Sequence, residues 1–185
     1  MTTHSLILQP TRRDFLRSAT VAAGGMALTG SLASALLADE PKKDPAKKLK
    51  VAAVITEFTY RSHAHVILEN FLKPYLFNGQ ITDPGCEVVS LYVDQFPAGE
   101  MSRQVAKDYK FNIYPTIAEA LCTGGKQLTC DAVLSIGEHG NYPTNAKGQH
   151  EYPRKRFFDE IVAVFRSSGR AVPVFNDKHL SYRWD

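Results

Sequence analysis

The residues best suited to chemistry in this chain are histidines and carboxylates that recur just after apolar, β-rich runs. Glu57, Arg61, Ser62, His63 and His65 follow the run at 51–55, and Asp94 follows 87–93. Glu138 and His139 follow 131–136, and Asp177, Lys178 and His179 follow 171–175. In a parallel sheet the positions just past the strands share one edge, where open α/β folds bind their ligands. Four of the six histidines then meet on one rim. A crevice lined this densely with titratable groups is a site candidate, because scattered groups are easier to solvate. The bland alternative is that loops are polar in any case and these side chains cap helices.

Several chemistries fit these types. Lys178, between Asp177 and His179, suits a proton donor to a substrate oxygen, or a base if burial lowers its pKa; as a surface pair with Asp177 it contributes little. His63, His65, Glu138, His139 and His179 supply the imidazole and carboxylate ligands that suit zinc or another divalent ion, although His-x-His at a helix start splays its rings apart. Arg61 and the amides near Ser62 suit a single anion, or simply a capped helix start. The turn-rich, aromatic segment 140–156 reads as a lid or substrate-facing flap. Arg154, Lys155 and Arg156 suit an anionic substrate or a solvated helix start, where the helix dipole disfavours cations.

The elements that must position these groups alternate. Strands are expected at 51–55, 87–93, 111–114, 131–136 and 171–175, and helices at 63–76, 102–109 (capped by Ser102), 117–122 (capped by Thr116) and 156–168 (closed by Gly169). Such alternation predicts an α/β fold: a doubly wound, mainly parallel, Rossmann-like sheet with helices on both faces. Residues 39–48 mix Pro with alternating charge and read as a tether, so the folded domain is expected over 49–185.

Residues 1–38 read as a twin-arginine leader. Arg12-Arg13 precede an uncharged run from Ser18 to Ala38, too mildly apolar for a spanning helix, and Ala33-Ser34-Ala35 offers a cleavage site. The expectations are engagement of the twin-arginine translocation machinery, export to the periplasm or exterior, and no stable membrane anchor after cleavage. Removing the three Arg and one Asp of the leader from 22 basic and 19 acidic residues leaves 19 against 18. So balanced a charge points to a small-molecule ligand and away from nucleic acid. Cys86, Cys122 and Cys130 fit no zinc or CxxC spacing; one disulfide plus a thiol, or three buried thiols, both remain open.

The order of elements from Leu49 to His179 resembles the nucleotide-binding half of the glucose-fructose oxidoreductase and inositol dehydrogenase family. The carriers are Tyr114-Pro115-Thr116-Ile117-Ala118-Glu119-Ala120-Leu121, Cys130-Asp131-Ala132-Val133-Leu134-Ser135-Ile136 with His139 after it, and Phe175-Asn176-Asp177-Lys178-His179 in the place of the family's Glu-Lys-Pro motif. Gly137-Glu138-His139-Gly140 and Asn176-Asp177-Lys178-His179 also resemble segments of uncharacterised exported bacterial proteins. The family resemblance implies NAD(P), a sugar or polyol substrate, and catalytic Lys178 and His139, with Asp94 placed as a ribose carboxylate; their places on the rim add Asp177 to the expected catalytic set and Glu57, Arg61, Ser62, His63 and Glu138 to the expected cofactor contacts. Enzymes of that family continue into a second sheet domain, so the expectation is either a fragment or a reduced relative. The departure is the first turn, Thr56-Glu57-Phe58-Thr59-Tyr60-Arg61-Ser62-His63, which lacks the glycines that let a backbone approach pyrophosphate. Three functions follow as expectations: an oxidoreductase-like enzyme, a metal-dependent hydrolase or lyase, and a non-catalytic ligand-binding or interaction domain.

Overall fold

A computed structural model describes residues 47–181. The leader, residues 39–46 of the tether, and the aromatic end with Tyr182 and Trp184 lie outside them. The elements, in chain order, are β1 (Leu49–Ile55), α1 (His63–Leu72), β2 (Tyr75–Phe77), β3 (Gln80–Thr82), β4 (Cys86–Val93), α2 (Ser102–Tyr109), β5 (Asn112–Tyr114), α3 (Ile117–Leu121), β6 (Ala132–Ile136), α4 (Arg154–Ser168) and β7 (Val174–Asn176). No helix among the described residues is long and apolar enough to cross a membrane.

Five strands form one parallel sheet in the order β5-β4-β1-β6-β7. This is a Rossmann-like α/β fold. Strand β1 is central and buried on both faces, which explains its unbroken apolar run. Alternate side chains feed two separate cores. Val51, Ala53 and Ile55 pack with Ala64 and Leu68 of α1 and Ala106 of α2. Ala52 and Val54 pack with Ile117 and Leu121 of α3 and with Phe157, Ile161 and Val164 of α4. The chain leaves β1 toward β4 and β5, then returns to the other side for β6 and β7. The chain therefore leaves the carboxyl ends of β1 and β6 toward opposite faces of the sheet, the place where open α/β folds bind their ligands.

Local chemistry sets most boundaries. Thr116 accepts from Glu119 N at 3.1 Å and starts α3, while Gly169, at φ 62°, closes α4 in the left-handed region that glycine tolerates. Three expectations are corrected. Helix α1 stops at Leu72, because Pro74 restricts the residue before it, and 75–82 is a β-hairpin. Asn78 and Gly79, at φ 49° and 77°, form its turn; the pair is a hairpin signal that helical periodicity had absorbed. Met101, not Ser102, occupies the N-cap of α2, and the Ser102 N–H donates to Glu100 Oε2 at 2.7 Å. The last strand begins at Val174, since Pro173 has no N–H to give the ladder. All three cysteines are buried thiols, and burial pushes Cys130 up to about 11.

Candidate functional site

The carboxyl edge of the sheet holds a compact ionic cluster. Ser62, buried, caps α1 by accepting from His65 N, which places His63 as the first helical residue with its ring toward β7. His63 Nδ1 lies 2.7 Å from Asp177 Oδ2, and Lys178 Nζ donates to Asp177 Oδ1 at 3.0 Å. Asp177 is the first residue past β7 and is buried. A carboxylate only accepts, so this contact calls for a proton on His63 Nδ1, and in the neutral ring that tautomer carries its lone pair on Nε2. Lys178 Nζ stands 3.3 Å from the same Nδ1, so lysine and imidazole converge on one carboxylate. The His139 ring packs edge-on against His63 with centroids 5.0 Å apart, and its Nδ1 accepts from the His63 backbone N–H at an N···N distance of 3.5 Å. His63, His139, Asp177 and Lys178, read from three separate loops of the sequence, thus meet.

Backbone strain marks the same place. Six described non-glycine residues have left-handed backbone, and Arg61 (φ 64°), His139 (φ 66°) and Lys178 (φ 73°) are on this rim. Each costs of order 1 kcal/mol for a residue with a Cβ, and such strain concentrates where side chains are aimed for function.

Other predicted residues go elsewhere. Glu138 pairs with Arg154 (Nη1–Oε1 2.7 Å), and Arg154 Nη2 is 3.4 Å from His179 Nε2. Thr56 Oγ1 donates to the Glu138 carbonyl and ties the β1 and β6 loops. His65 turns away: its Nδ1 accepts from Arg61 N at 2.9 Å and its ring packs on Phe58 and Tyr60. Glu57 accepts from Thr59 Oγ1 at 2.8 Å, and Arg61 lies over Tyr60. Asp94 forms a second knot, bonded by Tyr92 OH, by Tyr142 OH at 2.6 Å and by Arg156. Asn141 and Gln95 add two bonds, so the segment expected to be a flap is fastened at its start. Sequence reading missed Tyr92, Tyr142 and the burial of Arg154. The available signal was the three cations opening α4, which needed carboxylates opposite them.

Neither expected cofactor finds its site assembled. A dinucleotide needs a glycine turn and an open helix N-terminus. Here the turn has none, His63 brings the Asp177 carboxylate to the start of α1, and Asp94 is already engaged by Tyr92, Tyr142 and Arg156. These residues do not fit NAD(P). Of the five expected metal ligands, His65 faces the aromatics while Glu138 and His179 face Arg154. Among the described residues, no group of three or more His, Cys, Asp or Glu has the placement of a metal site.

Asp94 and Asp177 are both held below the ordinary carboxylate value. Burial alone would favour the neutral acid; hydrogen bonds outweigh it, from Tyr142, Tyr92 and Arg156 to Asp94, and from His63 and Lys178 to Asp177. Folded values below unfolded ones mean that each carboxylate contributes stability fully present above about pH 3.9 and lost as pH falls through the folded value. Asp94→Asn is therefore expected to flatten the acid limb of urea midpoint against pH below about pH 4. An unchanged limb would assign the acid sensitivity to other groups.

The chain matches no protein-family model, and no curated protein and no solved structure is significantly similar to it.

Proposed function

We propose that this domain is an acid–base enzyme for sugars, working at a hydroxyl-bearing carbon beside a carbonyl. The observation that carries this reading is the His63–Asp177 pair at 2.7 Å with Lys178 on the same carboxylate. Asp177 orients the imidazole and stabilises it when protonated, so His63 Nε2 takes the proton from the substrate C–H. The ammonium of Lys178 stabilises the negative charge that develops on the enolate oxygen. His139, whose Nδ1 accepts from the His63 N–H, presents Nε2–H to a neighbouring substrate hydroxyl. His139 relays the proton of that hydroxyl to the enolate oxygen, and return of the proton from His63 to the former carbonyl carbon makes the hydroxyl-bearing carbon the new carbonyl, an isomerisation with no external oxidant or reductant. The sugar class comes from the family resemblance; the polyols that the same resemblance implies carry no carbonyl and do not suit this step. The oxidoreductase form of that resemblance is disfavoured, because a hydride needs an acceptor and the turn does not fit one.

The test is proton NMR in deuterated buffer with a panel of aldoses and ketoses, beginning with glucose and fructose, alongside an NADH fluorescence titration. The expected result is deuterium entering the carbon beside the carbonyl, abolished in His63→Gln, with no saturable NADH binding. Saturable NADH binding without exchange would overturn the reading in favour of a dehydrogenase. Neither signal would overturn it in favour of a non-catalytic domain.

A further inference from the structure

We propose that the hairpin Tyr75–Thr82 is a self-association surface that meets the same hairpin of a second copy about a two-fold axis. Its eight residues carry no charge, yet Leu76, Phe77 and Ile81 are 68%, 58% and 76% exposed. Leu76 and Ile81 are cross-strand partners, so both present one apolar face. The two strands pair only with each other among the described residues, which leaves an outer edge on each. A lone two-stranded hairpin is marginal in water, and an apolar one needs a covering surface.

Charge selects the partner. The hairpin stem borders a cleft of about 500 Å³ lined by Lys48, Lys73, Asp83, Glu87 and Lys110. Lys48 pairs with Asp83 at 2.9 Å, and Lys73 pairs with Glu69 at 3.2 Å. The cleft thus mixes three cations with two carboxylates, Asp83 and Glu87, and Glu69 beside it engages Lys73. An anionic bilayer or a nucleic acid requires a surplus of cations. A patch that meets itself requires both signs, because each charge faces the same surface in the partner. Lys48, just before β1, and Cys86, the first residue of β4, stand at the amino ends of the strands, the sheet edge opposite the His63–Asp177 cluster. Association there leaves the catalytic rim open, so this inference stands apart from the proposed chemistry.

Sedimentation velocity of the purified chain at about 100 µM tests it, since interfaces of modest size hold at such concentrations. The wild type is expected at twice the monomer mass, and the double variant Leu76→Asp, Ile81→Asp at the monomer mass, a loss of self-affinity of roughly 100-fold or more. None of residues 75–82 belongs to either core, so the variant is expected to keep its circular dichroism spectrum. A second variant, Lys73→Glu with Lys110→Glu, makes the rim repel itself and is expected to dissociate at low salt and re-associate at high salt. A monomeric wild type, a dimeric Leu76/Ile81 variant, or binding of a monomeric wild type to phosphatidylglycerol vesicles would overturn the proposal.

Discussion

Replacing Arg154 with methionine is expected to lower the melting temperature by roughly 10–15 °C, the largest stability loss of any single polar substitution in this domain. The Arg154 side chain is 5% exposed and its partner Glu138 is 17% exposed. Removing one member of such a pair strands the other charge away from water and costs about 3–5 kcal/mol. The surroundings are shaped to the arginine as well. Gly137 is glycine because a Cβ there would stand 2.5 Å from Arg154 Cγ, and the guanidinium lies 5.3 Å over the Tyr152 ring. Methionine fills part of the stem volume but cannot answer Glu138. The double variant Arg154→Met, Glu138→Gln removes the stranded charge and is expected to recover part of the loss, a coupling of about 1 kcal/mol or more in a double-mutant cycle. Thermal melts of the three variants check both statements. A single variant melting within about 2 °C of wild type would show that the pair contributes nothing.

Asp177→Asn is expected to slow the proposed exchange reaction by roughly 10²–10⁴-fold while changing thermal stability far less. An asparagine amide presents either a donor or an acceptor to His63 Nδ1, so it no longer enforces the tautomer that leaves Nε2 basic. It also withdraws the charge that stabilises the imidazole once protonated, and it leaves the Lys178 ammonium without its carboxylate. The loss is expected in kcat more than in KM, because the interaction grows as His63 gains its proton. Asp177 is held below the usual carboxylate value by His63 and Lys178 against the opposing pull of burial. It therefore stays ionised across the neutral range, and no limb of the rate profile above about pH 4 belongs to it. An Asp177→Asn protein with an unchanged exchange rate would remove the dyad from the mechanism.

The two knots at the carboxyl edge explain an arrangement that looks unfavourable along the chain. Arg154, Lys155 and Arg156 open α4, where the positive end of the helix dipole repels them. Each finds a carboxylate: Glu138 for Arg154, Asp159 for Lys155, and Asp94 with Glu160 for Arg156. Two of these partners, Glu138 and Asp94, sit at strand ends. The helix start is thereby tied to the rim of the sheet.

Much of the architecture was readable from residue patterns because local rules govern it. The unbroken apolar runs of β1 and β6 require cover on both faces, and Thr116 and Gly169 end their helices through their own backbone and side-chain chemistry. Where two local signals compete, the pattern misleads. The Tyr75–Phe77 strand continues the helical spacing of α1, and only the left-handed pair Asn78-Gly79 after Pro74 decides for a hairpin.

The chain alone determined that chemically capable residues follow successive parallel strands, since strand direction and period are local properties that place strand ends on a common edge. Tertiary structure decided which of them meet. The order β5-β4-β1-β6-β7 brings the ends of β1, β6 and β7 together, so His63, His139, Asp177 and Lys178 form one centre, while Asp94 at the end of β4 joins Tyr142 and Arg156. His63 and His65, two residues apart, part company because a helix turns about 100° per residue and sends them to different neighbours. Spacing along a chain sets which edge a side chain reaches; the path of the sheet sets its partner.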